Sequence, residues 1–231
     1  MREPQGYEWT HCLYGLHKLD AVHPRARALG VGAGREPVIF YLADRIGHVV
    51  ATDLYGADEW TQNWGAEADA AVARDPQAYC PRRFRHERVS FAVADGLRLP
   101  FANGAFDIVW SLSSIEHFDG HAGAQTALAE MARVLAPGGI ACVATEYLLL
   151  DGYTHPEFFN RRDLATLIDA ARPALAPVGP LALDVLPAAY LLDSVPLPQN
   201  PHRRRRAVVC NDGEVQWTSV VLFFRRTGAP A

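Results

Sequence analysis

The chain reads as an α/β protein built on a mostly parallel sheet with helices on both faces. Three observations lead there. Between Ala26 and Val143 short apolar runs alternate with helical segments. The first run ends in the glycine turn Gly30-Val31-Gly32-Ala33-Gly34, and Pro137-Gly138-Gly139 stops one helix and opens another apolar run.

The elements follow in order. Ala26–Val31 is a compact first strand, and Glu36–Ile46 a helix with Val38, Ile39, Leu42 and Ala43 on its apolar face. His48–Asp53 is a second strand, Val89–Ala94 a third, and Phe106–Ser111 a fourth introduced by Asn103-Gly104. Gly123–Leu135 is an amphipathic helix, with Leu128, Met131, Ala132 and Leu135 at helical spacing, and Ile140–Thr145 is the fifth strand. Asn160 caps a helix running to Ala171. Leu181–Leu186 and Trp217–Arg225 read as two further strands, an antiparallel pair at one end of the sheet. Tyr55–Glu87 and Pro187–Asn211 exceed ordinary connections in length and, with residues 1–25, are candidate lids.

A chain of 231 residues with 49% hydrophobic and 21% charged residues is expected to form one domain with a full core, not a disordered chain. A net charge of −4 supplies no general field for nucleic acid, so no nucleic-acid partner is expected. The cluster Arg203–Arg206 reads as a solvated loop. No apolar run is long enough to span a membrane, and Met1–Gly6 lacks the apolar core of a secretory signal. Cys12, Cys80, Cys142 and Cys210 fit no zinc spacing and read as reduced thiols in a cytoplasmic protein.

The chemistry begins at the glycine turn. Glycines at alternate positions let the backbone bend sharply and approach a ligand closely, and the next helix aims its N-terminal N–H groups there. The register is G-x-G-x-G, with Arg35 where the last glycine of a dinucleotide G-x-G-x-x-G would fall. Asp53, at the carboxyl end of the second strand, suits the two hydroxyls of a ribose. Asp95 in Ala94-Asp95-Gly96 suits an adenine amino group, with Leu97, Leu99, Pro100 and Phe101 beside it.

Taken with Phe106-Asp107-Ile108-Val109 and Arg133-Val134-Leu135-Ala136-Pro137-Gly138-Gly139, in this order, these residues resemble a class I S-adenosylmethionine-dependent methyltransferase. The resemblance covers residues 26–146. It implies a Rossmann-like, seven-stranded, mostly parallel sheet with the last strand antiparallel. It implies S-adenosylmethionine as cofactor and S-adenosylhomocysteine as product. Gly30, Gly32 and Gly34 would line the methionyl part, Asp53 with Leu54 the ribose, Asp95 and Gly96 the adenine, and Ser111 the neighbourhood of the sulfonium.

For the acceptor, a small molecule bearing a hydroxyl on a sugar, secondary metabolite or lipid-linked precursor is expected. A hydroxyl acceptor benefits from a general base. His117, just after the fourth strand, and Glu146, at the end of the fifth, are the candidate catalytic residues. Tyr7, Trp9, Tyr14, Trp60 and Trp64 are candidates to cover the substrate. No metal is expected, because Ser113 stands where metal-dependent relatives of the family carry a glutamate. Two other readings remain. An NAD-dependent oxidoreductase would leave Arg133–Gly139 unexplained, and a non-catalytic cofactor-binding regulator would differ only in lacking turnover.

Overall fold

The structure, a computed structural model, describes residues 3–55, 71–149, 152–181, 183, 195–196, 209–211 and 214–228. Its elements are α1 (Glu3–Lys18), β1 (Arg27–Val31), α2 (Pro37–Ala43), β2 (His48–Asp53), α3 (Ala71–Arg74), β3 (Val89–Val93) and β4 (Phe106–Leu112), then α4 (Gly120–Val134), β5 (Leu135–Leu148), α5 (Arg161–Ala170), β6 (Leu175–Pro177), β7 (Val195–Pro196), β8 (Val209–Asn211) and β9 (Gln216–Arg226).

The strands form one sheet in the order β3-β2-β1-β4-β5-β9-β8-β7, with β6 also paired to β9. Strands β1 to β5 are parallel and β9 runs antiparallel to β5, from Ile140↔Arg225 to Leu148↔Trp217. This is the expected mostly parallel, Rossmann-like sheet. On one face Cys12 and Leu16 of α1 and Val38, Ile39 and Leu42 of α2 pack on Ala28, Ile108, Trp110 and Cys142. On the other, Leu128 and Met131 of α4 and Leu164 and Leu167 of α5 pack on Leu29, Val109 and Val143. Among the described residues no helix is long and apolar enough to cross a membrane.

The strand expected over Leu181–Leu186 is displaced. The strand after α5 is Leu175–Pro177, paired to Phe224–Arg226, while Val209–Asn211 pairs with Gln216–Thr218. Together they occupy both ends of the outer edge of β9, so Leu181, 43% exposed, finds no pairing partner there. Residues 182 and 184–186 lie outside the described residues, as do Trp60, Trp64 and Arg203–Arg206.

Strand β5 is also longer than the sequence suggests, since Pro137-Gly138-Gly139 stays inside it as a bulge. The register jumps from Phe106↔Leu135 to Ile108↔Ile140. The bulge needs glycine: Gly138 has φ +81, and a Cβ on Gly139 would stand 2.8 Å from the Asp107 carbonyl oxygen.

Arg133 explains why its motif accompanies Leu99-Pro100-Phe101. Its guanidinium donates to the carbonyls of Leu99 (2.8 Å) and Phe101 (2.7 Å) and to both oxygens of Glu130, which also accepts from the Leu99 N–H. The hydrogen bonds from Arg133 hold the Glu130 carboxyl below its usual range. A cavity of about 690 Å³ is lined by Arg98–Phe101, Glu130 and Arg133. The glycine turn contributes nothing to it, and the charges of Glu130 and Arg133 are spent on each other.

Helix α5 starts where expected. Asn160 Oδ1 accepts from the N–H groups of Arg162 (2.9 Å) and Asp163 (3.0 Å), and Asp163 reaches back to the Asn160 N–H in a capping box. Asn160→Ala is expected to lower stability by about 1 kcal/mol, read as a smaller urea midpoint with an unchanged slope.

Candidate functional site

Strands leave β1 in opposite directions across the sheet, with β2 and β3 on one side and β4 and β5 on the other, so a crevice opens at their carboxyl ends. The glycine turn forms one wall. Side chains anchor each glycine carbonyl: Thr52 Oγ1 donates to Gly30 (2.7 Å), Ser114 Oγ to Gly32 (2.8 Å) and the Tyr55 hydroxyl to Gly34 (3.1 Å). The Gly34 N–H donates to Asp53 Oδ2 (2.9 Å), and the Leu54 N–H to Asp53 Oδ1 (2.7 Å). Both Asp53 oxygens are thereby oriented, and each keeps acceptor capacity for a hydroxyl donor. Burial pushes the Tyr55 phenol up, with the charges of Asp53 and Glu36 adding to it.

The missing side chains of the glycines make room for the chain itself. A Cβ on Gly30 would stand 2.5 Å from the Trp110 ring. One on Gly32, where φ is +63, would meet Ser114 Cβ at 2.6 Å and Phe118 at 3.1 Å, and one on Gly96 would meet Phe118 at 2.5 Å. One ring, that of Phe118, therefore touches both the turn after β1 and the Ala94-Asp95-Gly96 segment after β3. Trp110, fully buried under Gly30, sends its indole N–H to Glu36 Oε2 (2.7 Å), at the entry to α2. Burial raises the Glu36 carboxyl against that hydrogen bond.

Around this crevice the structure gathers Gly30, Gly32, Gly34, Asp53, Leu54 and Gly96. Asp95 is exposed and accepts from the Leu97 N–H (2.8 Å), which folds the segment into an Asx turn. Ser111 lies fully buried near the end of β4, its hydroxyl without a hydrogen-bond partner. His117 closes a short 3₁₀ turn, its Nδ1 3.4 Å from Glu157 Oε1. Glu146 is half-buried near the end of β5, its Oε2 3.3 Å from Ser113 Oγ. His155 accepts from the N–H groups of Glu157 and Phe158 and stacks on Phe158, a local turn role. Among the described residues no group of three His, Cys, Asp or Glu is arranged to hold a metal ion.

Two acids escaped the sequence reading. Glu8 of α1 is fully buried, with Oε1 accepting from Ser113 Oγ (2.6 Å) and closely from Ser219 Oγ. Glu116 is also fully buried, with Oε2 accepting from Thr145 Oγ1 (3.0 Å) and Oε1 without a partner. Glu8 does leave a trace in the sequence, since Glu8, Cys12 and Leu16 fall on one helical stripe and all three are buried. Glu116 leaves none, because a short 3₁₀ turn has no periodicity long enough to read.

Residues 29–143 match the methyltransferase domain family. The chain is 32% identical over 126 residues to "Probable tocopherol O-methyltransferase, chloroplastic" from Oryza sativa subsp. japonica, covering 54% of this chain and 30% of that one. It is 33% identical over 143 residues to "Methyltransferase GfsG" from Streptomyces halstedii, covering 60% and 43%. The chain thus spans less than half the length of these curated relatives. The structure also resembles geranyl diphosphate C-methyltransferase from Streptomyces coelicolor A3(2), solved with Mg2+, geranyl diphosphate and S-adenosyl-L-homocysteine. The TM-score is 0.63 at 18% identity, covering 94% of this chain and 77% of that one. The chain belongs to the class I S-adenosylmethionine-dependent methyltransferases, and S-adenosylmethionine is the cofactor of that family.

The crevice fits such a cofactor on its own evidence. An oriented carboxylate stands at the end of β2, and the buried Ser111 hydroxyl lacks a protein partner. Asp53→Ala removes the anchor of both the Gly34 and Leu54 N–H groups. It is expected to weaken S-adenosylmethionine binding by about tenfold or more, measured by calorimetry. Gly32→Ala combines a positive φ with the Ser114 contact and should cost about 1–3 kcal/mol of stability, seen in a urea melt.

Proposed function

We propose that this chain transfers the methyl group of S-adenosylmethionine to a hydroxyl of a small organic acceptor, on a sugar, a secondary metabolite or a lipid-linked precursor. The observation that carries the reading is the half-buried Glu146 carboxyl at the strand ends, hydrogen-bonded to Ser113 and backed by Glu8 and Glu116. A neutral hydroxyl must lose its proton as it takes up a methyl group, and these residues offer that proton a destination. The rice relative is itself named as an O-methyltransferase, which supports oxygen as the acceptor atom.

When bound, the cofactor supplies a methyl group on a sulfonium, and the acceptor oxygen takes that methyl as the carbon–sulfur bond breaks. Gly30, Gly32 and Gly34 would hold its methionyl part, Asp53 and Leu54 the ribose, Asp95 and Gly96 the adenine, and Ser111 would border the sulfonium. Glu146 takes the acceptor proton at its carboxylate. His117, steadied by Glu157, is a second base within the same rim and orients the acceptor. Tyr7 and Trp9 of α1 and the segments 55–87 and 187–211 would border or cover the acceptor. The remaining expectations belong to the same proposal: one domain, a small-molecule partner and a cytoplasmic location.

The test is transfer of labelled methyl from S-adenosylmethionine to a panel of phenols, sugars and polyketide-like alcohols, with mass spectrometry locating the label. Label on oxygen is expected; label on nitrogen or carbon alone overturns the proposal, and cofactor binding without turnover on any class favours a regulator. Glu146→Gln is expected to lower kcat by about a hundredfold with cofactor affinity retained. His117→Ala should likewise reduce turnover and spare cofactor affinity; a fully active variant removes it as a base.

A further inference from the structure

Glu8, Glu116 and Glu146 reach one place from three elements: α1, the 3₁₀ turn after β4, and β5. Ser113 lies between two of them, 2.6 Å from Glu8 Oε1 and 3.3 Å from Glu146 Oε2. A serine hydroxyl has a single proton to give, and Ser219 already donates its own to Glu8. If Ser113 donates to Glu8, the contact with Glu146 is a hydrogen bond only when Glu146 carries a proton. The geometry itself asks for a proton on a carboxyl.

Glu116 makes the same demand from the other side. Its Oε1 is buried without a partner, as is the Ser111 hydroxyl near the end of β4. Burial first, then the charges of Glu146 and Glu8, push the Glu116 carboxyl well up. The other groups that feel Glu8 are Glu36 at the start of α2, Tyr7 on α1 and Cys142 on β5, every one an acid. Three such carboxyls cannot all stand ionised in a buried space without a cation to face. The cofactor of the family carries that cation on its sulfur.

We infer that Glu8, Glu116 and Glu146, linked through Ser113, form a proton reservoir that answers the charge of the methyl donor. The cluster shares protons when no cation is present. It gives one up when a sulfonium occupies the crevice, and it takes up the acceptor's proton as that charge is discharged. The inference rests on the crevice and the hydroxyl acceptor proposed above.

The step balances without a further reagent. The acceptor O–H bond breaks and its proton goes to Glu146, the oxygen–methyl bond forms, the methyl–sulfur bond breaks, and its electron pair stays on sulfur. One positive and one negative charge vanish together. Glu146 then passes a proton to Ser113 Oγ while Ser113 donates its own to Glu8 Oε1. Glu8 acts through Ser113 and is a positioning and proton-storing residue.

The reservoir is read without any acceptor. S-adenosylmethionine and S-adenosylhomocysteine share the ammonium, the carboxylate and the adenosine, and differ in the methylated sulfonium. Calorimetric titration of each in phosphate and in Tris, between about pH 6 and 8, gives the protons exchanged on binding. A nearby cation favours the carboxylate, so the pKa of the cluster falls and protons leave where pH lies between the free and the loaded values. About half to one more proton released with S-adenosylmethionine than with S-adenosylhomocysteine is expected near neutrality. Glu116→Gln and Glu146→Gln should each remove most of that difference. Glu146 is half-buried, so its variant serves where one at the fully buried Glu116 does not fold.

Equal proton counts for the two ligands overturn the inference, and so does a difference that survives in the Glu146 variant. Methyl label on nitrogen alone overturns the hydroxyl acceptor while leaving the count standing. Equal counts beside O-methylated product overturn the reservoir alone.

Discussion

Trp110 lies under Gly30 in a space that any Cβ would close, and much of the site follows from that contact. The residues are paired across β1 and β4, so the ring can sit there only if the partner is glycine. Once seated, the indole N–H reaches Glu36 and fixes where α2 begins. The turn between β1 and α2 is thereby stretched over the crevice, and Thr52, Ser114 and Tyr55 anchor its carbonyls from three directions. A rigid turn is a consequence of packing here, and its readiness for a ligand follows from the rigidity.

The same strand ends carry the electrostatics. Asp53, Glu36, Glu8, Glu116 and Glu146 are distributed from β2 round to β5, so the crevice is lined with acids along its rim. Acids so placed raise one another's proton affinity as well as being raised by burial, as Glu36 and Glu116 show. Such a site is costly when empty of positive charge and favourable when it holds one. Helix α1 completes it, because Glu8 is presented by a helix whose Cys12 and Leu16 are wholly buried against the sheet.

Legibility varied with how local the governing interaction is. The start of α5 was readable because a capping box needs only Asn160 and Asp163. Strands β1 to β5 were readable because a parallel strand buried on both faces must be a continuous apolar run. The strand assigned to Leu181–Leu186 failed for the opposite reason: its apolar run is real, but pairing belongs to whatever reaches the edge of β9 first, and Leu175–Pro177 follows α5 directly. The Pro-Gly-Gly motif looked like a loop because proline and glycine break strands. Here they build a bulge opposite Asp107.

The sequence by itself determined the order of the parallel strands' motifs, the glycine turn, and the acids Asp53 and Asp95 at the strand ends, since each is written in contiguous residues whose backbone needs are local. Only the tertiary structure decided that Phe118 would join Gly32 to Gly96, that Arg133 would clasp the Leu99–Phe101 segment, and that Glu8 would stand beside Ser113, 105 positions away. Those contacts depend on which side chains the closed sheet and its covering helices bring within hydrogen-bond or van der Waals reach. No local pattern encodes that distance.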